Sequence, residues 1–388
     1  MKSMFKKVIA VVMALAMLLS LVACGGANYT KNNTEYVIGV SGPLTGPAAV
    51  YGTAVKNSAQ MAIDEINAAG GLNGVKFKLV ATDDTHDATK VAANYASMLE
   101  GGMQVSLGTV TTAPGLEFTK LSAEDNVFFI TPSASADAIP ANDNGFQMCF
   151  ADGNQGKVAA DYVNSLGLTE IGIFYKSDDA YSNGIYKQFK ENLDSSIKTV
   201  EAVFTDTNAT DFSSQITTLK DCKFIFMPIY YEPATIFLTQ AKSTIAADAV
   251  YYGCDGFDGL AGQFEDFSII PQEVSMLSHF DSNATEGAAA DFVKKYTDKF
   301  GTDTLNQFGA SAYDCVYAIY EAMKAAIDAG TEIDVTISAS DLCEILKEQF
   351  TGDFTFSGVT GNNITWEDNG YVSKEAVKYT LKTANSAQ

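Results

Sequence analysis

From Tyr36 onward the chain alternates short apolar runs with longer stretches of helical periodicity, and few folds accommodate that alternation. Tyr36-Val-Ile-Gly-Val40 reads as a strand. After a Gly/Pro loop, Val55, Ala59, Ala62, Ile63 and Ile66 fall on one helical face, which Gly70-Gly71 ends. Val75, Phe77 and Leu79 alternate as a second strand, and Asp87 stands as an N-cap before Val91, Tyr95, Met98 and Leu99. Apolar runs at 103–107, 127–130, 171–175, 224–229 and 250–253 predict further strands, separated by stretches of helical character. Strand and helix in such regular turn predict an α/β fold, with parallel sheets covered by helices on both faces. Solutes of open α/β sheets sit beyond the C-terminal strand ends, so the loops there are where function is sought. Residues 282–350 read as mostly helical, and a β segment from Phe354 through Trp366 to Leu381 is too small to be a domain of its own.

Ahead of this pattern lies a segment of another kind. Lys2, Lys6 and Lys7 precede an apolar run over 8–23 that only Ser20 interrupts. These are the n- and h-regions of a secretory signal, short for a membrane span. The run ends in Leu21-Val22-Ala23-Cys24, which resembles the lipobox of bacterial lipoproteins. That resemblance implies a signal peptide over 1–23, lipid on Cys24, a polar tether over 24–34 and an extracytoplasmic, membrane-anchored product. Each buried CH₂ of an acyl chain contributes about 0.8 kcal/mol to such an anchor. A plain secretion signal with a chance cysteine is the other reading of the same residues.

Composition narrows the chemistry. Losing residues 1–23 removes three Lys and no acid, so a net charge of −22 becomes −25, 22 Lys against 47 Asp and Glu. Such a chain repels nucleic acid, whose binding rests on cations neutralising phosphates. Every basic residue is Lys; there is no Arg. A carboxylate ligand must then be held by hydroxyls, backbone N–H groups and helix N-termini rather than by a guanidinium. Only His86 and His279 are available, which excludes a multi-histidine metal site and makes a His-based triad a poor reading. Beyond Cys24, the cysteines at 149, 222, 254, 315 and 343 are scattered and form no CxxC pair, so buried free thiols are expected. No cofactor motif and no metal set stands out.

Over nearly the whole mature chain the sequence resembles a known family. Val40-Ser41-Gly42-Pro43-Leu44-Thr45-Gly46 with Tyr51-Gly52, then 62–71 (AIDEINAAGG) and Asp83-Asp84, resemble the N-terminal half of branched-chain amino acid binding proteins. The resemblance implies the type I periplasmic-binding-protein fold: two Rossmann-like lobes with parallel sheets, joined by a three-crossover hinge and closing on one solute. On that pattern the crossovers fall near Phe150-Ala151, Phe280-Asp281 and Ser357-Gly358. The first lobe is then 35–149 with 282–356, and the second 151–280 with 358–384. It implies a monomer that takes a free amino acid and hands it to the permease subunits of an ABC transporter.

The family's contacts carry over residue by residue. In Gly108-Thr109-Val110-Thr111-Thr112, Thr112 would meet the solute carboxylate. In Thr131-Pro132-Ser133-Ala134-Ser135, the Ser133 carbonyl would accept from the ammonium, and Ser135 would supply a hydroxyl and N–H. Tyr230 would cover the cleft, and Asp255 would face the ammonium. Tyr51, Tyr181 and Tyr313 match aromatic positions walling the side-chain pocket. Each has a plainer use as well. Thr111-Thr112 before Pro114 would start a helix, Ser133 and Ser135 would cap, Asp255-Gly256 would turn, and the tyrosines would pack. Asp83-Asp84 reads as a solvated loop and His86 as a surface residue. The sequence departs from the family in two ways. Where some members place disulfide cysteines it has His86 and Thr111, and where others carry Glu against the ammonium it has the shorter Asp255. Two other functions stay open: a binder of an amide, urea or aromatic acid, and a surface hydrolase, for which no GxSxG or HExxH motif is present.

Overall fold

A computed structural model describes residues 29–384; the signal segment and Cys24 lie outside them. Strands β1 (Tyr36–Gly42), β2 (Phe77–Asp83), β3 (Val105–Ser106), β4 (Phe129–Thr131) and β5 (Gly145–Gln147) form a five-stranded sheet in the order β2-β1-β3-β4-β5. All its pairs are parallel. Strands β6 (Glu170–Lys176), β7 (Lys198–Phe204), β8 (Phe224–Met227), β9 (Val250–Gly253), β10 (Glu273–Ser278) and β11 (Val377–Lys382) form a six-stranded sheet. Its order is β11-β10-β9-β8-β6-β7, parallel except for the β10–β11 pair. Every residue of β1 is buried, as a central strand covered on both faces must be.

The helices supply that cover. Helix Ala49–Ala68 buries Val55, Ala59, Ala62, Ile63 and Ile66, the face its periodicity predicts. It packs against helix Gln307–Asp328, and the approach is close at Gly309, where a Cβ would lie 2.9 Å from Ser58 Oγ. The later helices thus return to the first lobe. Helix Gly287–Phe300 is tied there too, with Lys295 on Glu65 and Lys299 on Asp64.

The chain crosses between the lobes three times. The first passage leads from β5 into helix Asp152–Ser165, and the second from β10 into helix Gly287–Phe300. The third comes later than Ser357-Gly358. Trp366 Nε1 donates to the Gln147 carbonyl at 2.8 Å, the Gln147 N–H to Gly370, and the Tyr371 hydroxyl to Asp137. The Trp366 ring packs on Phe350 at 4.5 Å between centroids. The indole can be buried only with its N–H satisfied, and these bonds keep the segment on the first lobe through Tyr371. Cys149, Cys222, Cys254, Cys315 and Cys343 are buried free thiols.

Candidate functional site

The strand order reverses between β1 and β3 in one sheet and between β6 and β8 in the other. Loops leaving those strands open a crevice, and here the two crevices face each other. From the first lobe come the loop after β3 and the loop after β4. Thr131 joins them: its hydroxyl donates to the Thr109 carbonyl at 3.0 Å and accepts the N–H groups of Ser133 and Ala134. From the second lobe come Tyr230 after β8, Asp255 after β9, and Tyr181 on helix Ala180–Asn192 after β6.

Tyr51, Thr112, Ser133, Ser135, Tyr181, Tyr230 and Asp255 line one nearly closed cavity of about 10 Å³, with Val110 and Phe308. Small-molecule pockets usually begin at roughly 300 Å³, so this one is shut down to about the space of a water, and a solute enters only when the lobes part. Tyr313 does not join the others. Its hydroxyl donates to Glu65 at 2.6 Å and its ring meets Phe292, which holds it on the outer flank of helix Gln307–Asp328. Phe308, five residues earlier on another face of that helix, supplies the wall instead. Val110, inside the hydroxyl-rich motif, lines the cavity beside the threonines that the motif brings to notice.

The two sides of the cavity differ in electrical character. Thr112 opens helix Thr112–Glu124, whose N-cap residue Thr111 makes no side-chain cap bond. The first N–H groups therefore keep their anion-binding capacity, and the buried Thr112 hydroxyl has no partner. Across from them Asp255 is 2 % exposed. Its Oδ1 accepts the Tyr181 hydroxyl at 2.6 Å, and its own N–H donates to Gln155 at 3.0 Å. Burial pushes its carboxyl up to about 6, against the pull of the Tyr181, Gln155 and Gly256 hydrogen bonds. Asp152, on the same lobe, is held well above the usual range by burial and then by the nearby Asp255 charge.

Aromatic rings close the space. Tyr181 and Tyr230 stack at 4.4 Å and 11°. Tyr51 meets Tyr231 edge-on at 5.0 Å and Phe308 at 4.9 Å. The Tyr51 hydroxyl donates across the lobes to the Gly256 carbonyl at 2.6 Å, and the Asp258 carboxylate accepts the Gln307 N–H at 2.8 Å.

Two expectations need correction. The Asp83-Asp84 pair is not simply solvated: Asp84 is fully buried, its Oδ2 accepting from Ser41 at 3.0 Å and its Oδ1 from the His86 N–H at 2.9 Å. Burial pushes the Asp84 carboxyl up to about 6. His86 is not a surface residue either. Its Nδ1 lies 2.9 Å from the Thr111 hydroxyl, and its ring stands edge-on to Tyr230 at 5.4 Å. Among the described residues no cluster of His, Cys, Asp and Glu is arranged to hold a metal ion.

Known proteins are similar to this chain in sequence and in architecture. The Leu/Ile/Val-binding protein BraC3 of Rhizobium johnstonii is 29% identical over 319 residues, 80% of this chain and 84% of that protein. The leucine-, isoleucine-, valine-, threonine- and alanine-binding protein of Pseudomonas aeruginosa is 31% identical over 60% of this chain and 63% of its own length. The crystal structure of the branched-chain amino acid transporter substrate binding protein LivJ of Streptococcus pneumoniae, in complex with isoleucine, superposes with a TM-score of 0.74. It is 25% identical and covers 89% of this chain and all of that one. The family model described as periplasmic binding protein matches residues 35–381, and the chain belongs to that family of solute-binding, extracytoplasmic proteins.

Proposed function

We propose that this protein binds a free, uncharged-side-chain amino acid between its lobes and delivers it to an ABC importer. One observation carries the reading: an uncapped helix N-terminus with an unpartnered Thr112 hydroxyl faces a buried, ionisable Asp255 across one closed cavity. A zwitterion satisfies both ends at once. The carboxylate takes N–H and hydroxyl donors at Thr112 and Ser135, and the ammonium takes Asp255 and the Ser133 carbonyl. Tyr51, Tyr181, Tyr230 and Phe308 enclose the side chain without adding a charge that would demand a polar one.

Calorimetry with alanine, valine, leucine, isoleucine and phenylalanine, and with benzoate and acetamide beside them, tests the reading. An amino acid should bind far more tightly than its deaminated acid. Preference for benzoate or acetamide would replace the amino acid as the solute.

The protein works as a monomer held at the outer face of the cell membrane by lipid on Cys24, in reach of the permease subunits. Cys24→Ser should release it from the membrane fraction with solute binding intact. Unchanged fractionation, with no acyl mass on the mature N-terminus, would remove the anchor from this account.

A further inference from the structure

We propose that His86 is a positioning residue: its imidazole ties the Thr111–Thr112 loop of the first lobe to Tyr230 of the second. This rests on the amino-acid reading above and adds a residue to it. The geometry is specific. The backbone of His86 is in the left-handed region, with φ 64°, and its N–H is held by Asp84 Oδ1 at 2.9 Å. A turn so constrained aims the ring at the cleft. There Nδ1 meets the Thr111 hydroxyl at 2.9 Å, and the ring edge meets Tyr230 at 5.4 Å and 85°.

The Thr111 bond has a consequence for the site. A threonine at the N-cap ordinarily turns its hydroxyl onto the N–H groups of its own helix. Thr111 makes no such bond, because its hydroxyl is engaged by His86. The helix N-terminus is thereby left to a carboxylate, and Thr112 Oγ1 beside it stays buried and unpartnered. The other ring contact matters for closure. Tyr230 stacks on Tyr181 inside the cavity, so an imidazole behind it supports the covering ring only while the lobes are shut.

Closure around His86 favours the neutral ring. Burial lowers its pKa, while Asp179, Asp206 and Asp87 oppose the fall and Lys176 adds to it. Lys176, Asp206 and Glu232 share with His86 the outer pocket behind Tyr230, so these groups also face the ring. In the closed form His86 holds fewer protons than when exposed. Closure and affinity are therefore complete above its ordinary pKa and weaken as the pH falls through it. Asp255, at about 6, titrates in the same window. The contrast between wild type and a His86 variant, rather than the profile alone, is the readout.

The experiment uses full-length protein and isoleucine as the probe. Wild type should lose about tenfold in affinity between about pH 7.5 and about pH 5.5. His86→Gln, which keeps a hydrogen-bonding partner for Thr111, should bind within about threefold of wild type at the higher pH and lose part of that slope. His86→Ala should bind about tenfold more weakly at both, because Thr111 is free to cap its own helix. A His86→Gln profile that overlays the wild type, or a His86→Ala affinity equal to it, would overturn the proposal. If isoleucine, leucine and valine all fail to bind, the amino-acid reading falls and a second measurement judges His86. The chain has two histidines, so NMR titration of the imidazoles, assigned with His86→Gln, reads this ring directly. Its pKa should rise toward the ordinary value of about 6.5 in Tyr230→Ala. An unchanged titration would show that the two rings are not coupled.

Discussion

Asp255 keeps its carboxylate where water does not reach, with one oxygen already engaged by Tyr181. A buried charge of this kind is held at a cost, which is why its pKa rises to about 6. A solute ammonium opposite it reverses the balance by favouring the ionised form. The bound state then carries fewer protons than the free one, so affinity is complete above about pH 6 and falls as the pH drops below it. Asp255→Asn preserves the shape and removes the charge. It should weaken binding of the preferred amino acid by about 2–5 kcal/mol, roughly thirtyfold to several-thousandfold. Thr112→Ala should cost less, about 1–3 kcal/mol, since the helix N–H donors remain. The deaminated analogue should bind wild type poorly and lose little more on Asp255→Asn. Equal affinity of wild type and Asp255→Asn for the intact amino acid, measured by calorimetry, would take the ammonium away from this residue.

At the level of elements, what could be read in the sequence was what repeats locally. The buried face of helix Ala49–Ala68 is written in its own spacing, and the N-cap Asp87 does accept the Thr89 N–H. Strands β1, β6, β8 and β9 are continuous apolar runs because parallel sheets bury both faces. Strand β7 gave no such signal: it is the edge of its sheet, and Lys198, Glu201 and Val203 face solvent. Strand β5 is only three residues long, too short for any period. The late third passage between lobes depends on Trp366 finding Gln147, 219 positions away, and no local pattern encodes that. The site divides in the same way. The hydroxyl-rich loops after β3 and β4 and the Asp255 turn are contiguous motifs and could be recognised. Phe308 reaches the cavity and Tyr313 misses it because, five residues apart on one helix, they stand about 140° apart around its axis. His86 sits near Thr111 because of a left-handed turn that nothing in its neighbours' side chains announces.

For the whole molecule, the closed arrangement is held by contacts spread along the seam between the lobes. Tyr51 reaches Gly256, Asp258 reaches the Gln307 N–H at a helix N-terminus, and His86 meets Tyr230. Burial pushes the Asp258 carboxyl up to about 7, so this latch carries a partly uncompensated charge near neutral pH. Closure is a balance that a ligand tips only if it binds the closed form better than the open one. A zwitterion held between Thr112 and Asp255 meets that condition, because it has both partners only when the lobes are together. The three passages, after β5, after β10 and before β11, are the segments free to absorb the rotation, while each sheet moves as a unit. Small-angle scattering of the protein with saturating preferred amino acid should therefore give a smaller radius of gyration than without it. Tyr51→Phe, which keeps the ring and removes the bond to Gly256, should leave the solute-bound radius unchanged and weaken affinity modestly, by about 0.5–1.5 kcal/mol. Identical scattering profiles with and without solute, under conditions where calorimetry proves binding, would mean that the lobes do not close on the ligand. The cavity would then have to fill by movement of Tyr230 and its neighbours alone.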